Sequence, residues 1–253
     1  MRIATYNIWN SDVGMPKRTE QIMRQIMQMD ADIICLQEVK NAKFYADLAE
    51  KLPYSYAVFY NHEHEDEGLA IFSRFPLMKG QYIKNSALAV ADTPDGLLLI
   101  ANVHLPWESA MEREIAVKKL NECISQISAD CKLMLGDFNC APSSDVQRFL
   151  LGECTLFGGA SVPCWYDLAE SFAFYNKTAP EITLDIQNNP RWMGQATVET
   201  SQRYDRILLQ NTYPHDFPLL EKVCTFGKEI DWISGFMPSD HYGVYADLRF
   251  KHE

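Results

Sequence analysis

The sequence predicts an α/β fold, and three observations carry that prediction. Short apolar runs of strand length stop abruptly at polar groups, and amphipathic stretches at helical spacing fall between them. No Gly/Ser/Pro-rich linker, charge-block tail or short-period repeat interrupts the 253 residues, so one domain spanning 1–253 is expected. A hydrophobic share of 47% over this length suffices for a sizeable core and argues against a disordered chain.

The elements follow in order. Arg2-Ile-Ala-Thr-Tyr6 opens as a strand, and Asn7-Ile-Trp-Asn10 reads as the loop after it. Ile22, Ile26 and Met29 recur at helical spacing behind Pro16-Lys17-Arg18, with Met23 and Met27 widening the stripe as core filler. Ile33-Ile-Cys-Leu36 is a buried-strand run that breaks at Gln37-Glu38. Strands are expected over 69–73 and 97–104, then a helix carrying Val117, Leu120, Ile124 and Ile127, then a strand over 132–136. The last third alternates loops with strands over 204–209 and 243–250.

Four of these segments end in polar clusters: Gln37-Glu38, Asn102-Val-His104, Gly136-Asp-Phe-Asn139 and Tyr204-Asp205. Two loops, Asn7-Ile-Trp-Asn10 and Ser239-Asp-His241, add to them. Polar residues gathered at strand ends mark a site on one rim of a sheet. Each cluster also has a bland reading. Asp137 and Asn139 suit an Asx turn leading into a helix near Pro142-Ser-Ser144, and His104 suits a satisfied core histidine.

Charge and cysteine usage narrow the function classes. The formal charge of −11, from 34 acidic against 23 basic side chains, argues against a tight non-specific duplex binder and favours oxygen ligation of hard cations. The seven cysteines form no CxxC pair and read as reduced buried thiols. With no signal peptide and no apolar run long enough to span a membrane, a cytoplasmic monomer is expected.

Taken in order, Tyr6-Asn7, Gln37-Glu-Val39, Asn102-Val-His-Leu105, Gly136-Asp-Phe-Asn139, Tyr204-Asp-Arg-Ile207 and Ser239-Asp-His241 resemble the endonuclease/exonuclease/phosphatase superfamily, the deoxyribonuclease I-like group. The resemblance covers nearly the whole chain. It implies a four-layer α-β-β-α sandwich of two packed mixed sheets with flanking helices. It also implies Mg²⁺- or Mn²⁺-dependent hydrolysis of a phosphodiester or phosphomonoester, with nucleic acid or a small phosphorylated molecule as substrate.

On this resemblance Glu38 is the expected metal ligand, with Asn7 and Asp240 in or near its shell. Asp137 would orient or deprotonate the attacking water, and Asn139 would hold a phosphate oxygen. His104 would bind phosphate or assist the leaving group. Asp205 and His241 form an expected pair, acting either as general base or as a charged group that stabilises the transition state.

The branch is legible in part. Exonuclease III-type apurinic endonucleases carry a Tyr-containing segment in place of Asn102-Val-His104 and Gln-Glu-Thr-Lys in place of Gln37-Glu-Val-Lys40. His104-Leu, Gly68-Leu-Ala-Ile-Phe-Ser-Arg74 and Glu112-Arg113 look more like the neutral-sphingomyelinase and 5′-tyrosyl-DNA phosphodiesterase side. Arg74, Arg113, Trp107 and Trp192 are candidate substrate contacts, with Trp165 also a candidate for the mouth of the site; the bland alternative is a structural surface role for the arginines and core packing for the tryptophans. The acidic stretch 61–67 is expected to be a solvated hairpin tip, with a second metal site as the alternative. Competing function classes are a silent binding module of the same fold and a lipid phosphodiesterase.

Overall fold

The computed structural model describes residues 1–62, 66–192, 198–214, 216–231 and 235–250. In chain order the elements are β1 (Arg2–Asn7), α1 (Lys17–Met29), β2 (Ile33–Val39), α2 (Ala42–Lys51), β3 (Tyr56–Asn61), β4 (Gly68–Ser73), β5 (Leu77–Ile83), β6 (Ser86–Thr93), β7 (Gly96–His104), α3 (Ala110–Ser125), β8 (Cys131–Asp137), α4 (Asp145–Leu150), β9 (Trp165–Asp167), α5 (Leu168–Asn176), β10 (Asp205–Gln210), β11 (Leu219–Phe226) and β12 (Gly243–Arg249).

They build two six-stranded sheets, ordered β11-β12-β1-β2-β4-β3 and β5-β6-β7-β8-β10-β9. Each sheet holds one parallel pair, β1 with β2 and β7 with β8, and in both cases a helix makes the crossover. Parallel neighbours need such a crossover, because a tight turn can join only antiparallel strands.

The burial pattern follows from these layers. Ile3, Ile33, Cys35, Leu69 and Ile71 of the first sheet meet Ala89, Ile100, Leu133, Leu135 and Ile207 of the second in an inter-sheet core. The alternate residues of the same strands face outward. Ala4, Tyr6, Ile34 and Leu36 pack under Ile22 and Ile26 of α1 and Leu48 of α2. Leu99, Ala101 and Met134 pack under Val117, Leu120 and Ile124 of α3 and Phe149 of α4. Both sheets are therefore covered on both faces, which is the four-layer α-β-β-α sandwich expected from the sequence. Apolar residues at consecutive positions in β2, β4 and β7 are what such double burial requires.

Individual elements depart from expectation in instructive ways. Met27 is 48% exposed, so it does not extend the buried stripe of α1, whereas Met23 is half-buried against the core. Ile127 lies past the end of α3 and still packs against the core. All seven cysteines are free, but only Cys35, Cys131 and Cys140 are buried; the other four are half-buried. Among the described residues no helix is long and apolar enough to cross a membrane.

A polar clamp crosses the inter-sheet core close to the rim of interest. Asn102 Nδ2 donates to the carbonyls of Leu36 and Ala70, each at 3.0 Å, while its Oδ1 accepts from Gln37 Nε2 at 2.6 Å. Gln37 Nε2 also donates to Thr5 Oγ1 at 2.9 Å. The β2–β4 register shifts between Leu36 and Val39, so Asn102 satisfies carbonyls beside an irregular stretch of ladder. In this way one side chain of β7 fixes the height of one sheet against the other.

Candidate active site

The two parallel pairs run in the direction that delivers polar residues to one rim. Asn7 ends β1, and Glu38 sits at the far end of β2, whose Gln37 is paired with Asn7. His104 ends β7 opposite Asp137, which ends β8. Asp205 arrives from the other direction. It begins β10, whose antiparallel pairing with β8 sets it directly opposite Asp137. His241 lies just before β12, which runs antiparallel to β1, and is tied by a bridge to Leu184.

Two backbone features aim these side chains. Glu38 has φ 57° and lies within the irregular stretch between Leu36 and Val39, so its carboxylate leaves the regular strand alternation. Non-glycine residues held in this left-handed region cost of order 1 kcal/mol and cluster at functional sites. Gly136 has φ 145°, and a Cβ there would stand 1.9 Å from the carbonyl oxygen of Val103. Close approach of β7 and β8 at the rim therefore requires glycine immediately before Asp137.

Asp137 Oδ2 is the focus of the arrangement. It accepts from Asn7 Nδ2 at 3.1 Å, and both His104 Nε2 and His241 Nε2 face it at 3.9 Å. Its Oδ1 accepts the backbone N–H of Asn139 at 2.8 Å, so the Asx turn read from sequence is present alongside the converging contacts. The following helix is capped instead by Ser144. Asn139 has φ 47° and donates one amide N–H to the carbonyl of Leu105 at 2.9 Å. Glu38 accepts from Asn7 Nδ2 at 2.8 Å and from the backbone N–H of Asn10 at 2.7 Å, and its Oε1 lies 3.9 Å from His104 Nε2.

Asn7 thus meets both carboxylates with its NH₂ group, while its Oδ1 accepts the N–H of Trp9 at 3.0 Å. These contacts orient Glu38 and Asp137. Asp240, the other residue expected near a metal, pairs through Oδ2 with Arg191.

Burial works against a charged His241, but the carboxylates of Asp205, Asp137 and Asp240 outweigh it and hold the imidazole well above its usual range. Its Nδ1 bonds Asp205 Oδ2 at 2.8 Å. Burial pushes the Asp205 and Asp240 carboxyls up, opposed in each case by His241. Because its folded-state pKa is raised, His241 contributes stability that is full below its unfolded value of about 6.5 and is lost as pH rises through the folded-state value. An imidazole ¹⁵N NMR titration of metal-free protein is expected to show His241 still protonated at pH 7.5. In Asp205→Asn the titration should move down; a neutral His241 at pH 7 in the wild type would contradict this electrostatic account.

Several expected contacts lie elsewhere. Arg74 follows β4 at its other end and pairs with Asp30 and Asp32, before the start of β2. Six residues of strand separate Asp32 from Glu38, about 20 Å, so Arg74 belongs to the opposite rim. Trp165 is 1% exposed in β9, its indole N–H bonded to Asn121 at 2.8 Å, and is a core residue. Arg113 donates to the carbonyls of Pro106 and Trp107 and braces the loop after β7. Trp107 itself is 73% exposed and, with Asn139, Leu184 and Tyr204, lines a groove of about 410 Å³ beside the site.

Trp192 stacks under the Arg191 guanidinium at 4.1 Å. Arg191 also lies 4.6 Å from the Trp9 ring, whose Arg18 contact is 4.5 Å. Trp9, Arg18 and Arg191 were not among the expected site residues. Buried Arg18 donates to the carbonyls of Ile8, Trp9, Ser11, Val13 and Pro238 and so shapes the loop after β1. Its place in α1 gave no sequence signal for that role.

The acidic stretch 61–67, expected as a hairpin tip, is described only at its flanks. Residues 63–65, the tip itself, lie outside the described residues; of the flanks, Asn61 and Asp66 are exposed, whereas His62 and Glu67 turn inward. His62 is 3% exposed, and Glu67 reaches His104 Nδ1 at 3.6 Å while accepting from Asn10 Nδ2 at 3.1 Å. Among the described residues, two groups of three side chains offer cation ligand atoms within 4.8 Å of one another: Asp137–Asp205–His241 and His62–Glu67–His104.

The donor chemistry of the rim fits a hard divalent cation. Glu38, Glu67, Asp137, Asp205 and Asp240 gather there, Asp205 Oδ1 is buried with no hydrogen-bond partner, and burial raises Asp205 and Asp240. Crowded carboxylates of this kind are relieved by an oxygen-preferring ion.

The chain is 24% identical over 284 residues to exodeoxyribonuclease III of Haemophilus influenzae, covering 98% of this chain and all of that protein. Its structure is similar to that of D. rerio TDP2 complexed with single-strand DNA product, with a TM-score of 0.78 at 16% identity and 98% of both chains covered. It is also similar to the human Nocturnin catalytic domain with bound sulfate anion, with a TM-score of 0.71 at 18% identity, covering 99% and 94% of the two chains. Residues 4–241 match the Endonuclease/Exonuclease/phosphatase family, to which this chain therefore belongs.

Proposed function

We propose that the chain is a divalent-metal-dependent phosphoesterase that cleaves phosphodiesters by in-line attack of water. The observation that carries this reading is the convergence of Asn7, His104 and His241 on Asp137 Oδ2, beside Glu38. Glu38 would hold Mg²⁺ or Mn²⁺, with Asp240 close by. When bound, such an ion neutralises phosphoryl charge and acidifies a coordinated water.

The chain's own residues do the rest. Asp137 Oδ2 orients the attacking water and takes its proton, because it is the carboxylate oxygen that faces both histidines across the gap. His241, fixed at Nδ1 by Asp205, presents Nε2–H to a phosphoryl oxygen in the 3.9 Å gap beside Asp137. His104 Nε2 faces the same gap and assists the leaving oxygen. Asn139 keeps a second amide N–H for the phosphoryl group, since only one is used by Leu105.

A diester is favoured over a monoester by the groove of Trp107, Asn139, Leu184 and Tyr204, which receives a second substituent on phosphorus. The net charge of −11 favours short or single-stranded substrates over a long duplex. The structural likeness to a TDP2 bound to single-strand DNA supports the same choice.

An activity panel with Mg²⁺ or Mn²⁺ tests the reading. It compares a 5′-tyrosyl oligonucleotide, single- and double-stranded DNA, an abasic duplex, sphingomyelin, an activated aryl phosphodiester and nucleotide or sugar monophosphates. Diester cleavage that chelation abolishes and that Glu38→Ala lacks is expected. Failure to cleave any phosphoester, or activity undiminished in Glu38→Ala, would refute it.

A further inference from the structure

The catalytic reading leaves His62 unexplained. Its ring is buried at the base of the hairpin between β3 and β4, where the backbone N–H of His62 bonds the Glu67 carbonyl at 2.8 Å. Nδ1 lies 2.7 Å from Tyr82 Oη, and Nε2 has no hydrogen-bond partner. A buried imidazole nitrogen without a partner has lost its water with nothing in exchange, which folded proteins rarely tolerate.

We propose that His62, Glu67 and His104 form a second divalent-cation site, distinct from the Glu38 site, that takes a borderline transition metal such as Zn²⁺. The ligand atoms of the three side chains lie within 4.8 Å of one another. His104 Nδ1 and Glu67 Oε1 are already 3.6 Å apart. With metal–ligand bonds of about 2.1 Å, tetrahedral ligands stand about 3.4 Å apart, so small side-chain adjustments close the set. Two imidazoles and one carboxylate are a zinc-type donor set, softer than the all-oxygen sets that suit Mg²⁺.

The surrounding contacts are those of a built site. Tyr82 Oη, held by the backbone N–H of Asn85 at 3.0 Å, pairs with His62 Nδ1; in the proposed site Nδ1–H donates to this oxygen and Nε2 offers its lone pair. Asn10 Nδ2 donates to Glu67 Oε2, so Oε1 is the oxygen turned to His104. Outer partners that fix the tautomer and the carboxylate are what ligating residues need.

His104 is the link between the two centres. Its Nδ1 faces Glu67, while its Nε2 faces Glu38 and Asp137 at 3.9 Å. A cation on the Nδ1 side makes Nε2–H a stronger donor toward the catalytic gap. The existence of the site does not depend on the phosphoesterase reading, since cation binding is read without turnover.

The test titrates chelator-treated full-length protein with Zn²⁺ against a chromophoric competitor, in millimolar Mg²⁺, and with Co²⁺ by visible absorption. One equivalent of Zn²⁺ and a four-coordinate Co²⁺ ligand-field band are expected. His62→Gln and Glu67→Gln should each weaken binding at least 10-fold, and Tyr82→Phe about 10-fold, whereas Glu38→Gln retains the band. Circular dichroism checks folding, and the more exposed Glu67→Gln carries the test if His62→Gln does not fold. Absence of Zn²⁺ and Co²⁺ binding overturns the proposal, as does binding unchanged in Glu67→Gln or lost only in Glu38→Gln.

Discussion

Replacing Asp137 with asparagine is expected to lower kcat on a phosphodiester by about 10³-fold while leaving the fold intact. Oδ1 would still accept the Asn139 N–H, so the turn after β8 survives. The change falls on Oδ2, where an amide nitrogen would replace the acceptor that Asn7 Nδ2 meets at 3.1 Å and that both histidines face. A donor there can neither take a proton from water nor attract His241. Steady-state kinetics with Mg²⁺, together with a thermal melt, separate loss of chemistry from loss of structure. A fall below 10-fold with an unchanged melt would show that Asp137 is not the proton acceptor and would shift that role to the Asp205–His241 pair.

Gly136→Ala is expected to be the most damaging single change to the fold. The new Cβ would lie 1.9 Å from Val103 O and within 2.9 Å of two further backbone atoms of the same residue, and the backbone there holds φ 145°. Neither the strand pairing nor the φ value can relax without separating β7 from β8 at the rim. The cost should exceed about 4 kcal/mol, within the range reserved for severe steric or strain effects. Chemical denaturation, or partition into the insoluble fraction on expression, measures it. A variant that unfolds within about 1 kcal/mol of wild type would mean that the rim is far more compliant than this packing allows.

The two outcomes bear on how the site is built. Gly136 and Asp137 are adjacent, yet one acts through backbone sterics and the other through a carboxylate oxygen. The strained Glu38 repeats the pattern on the other sheet, where the irregular stretch after Leu36 and a φ of 57° re-aim a single side chain. Asn102 then locks the two sheets so that Glu38 and Asp137 share Asn7 as a common donor. Precise placement on rigid strand ends is what distinguishes this rim from its loops.

Much of this was legible in the chain itself. Apolar runs ending at Gln37-Glu38, Asn102-Val-His104 and Gly136-Asp137 announced buried strands that hand polar groups to a rim, because an apolar strand can stop at a polar residue only where the sheet ends. Helical spacing placed α1 and α3, and the ordered motifs identified the family and its four-layer sandwich. What the sequence could not give was the direction in which each strand runs. Tyr204-Asp205 read as the end of a strand, whereas Asp205 begins β10 and reaches Asp137 only because β10 is antiparallel to β8.

The same rule sorted β4. Antiparallel pairing with β2 sends Arg74, after its last residue, to the far rim beside Asp32, and brings Glu67, before its first, to the site. Local sequence thus determined which residues stand at strand ends and what chemistry they carry. Only the tertiary structure decided which ends share a rim, because strand polarity is set by pairing between segments far apart in the chain, and hydrophobic alternation reads the same in either direction.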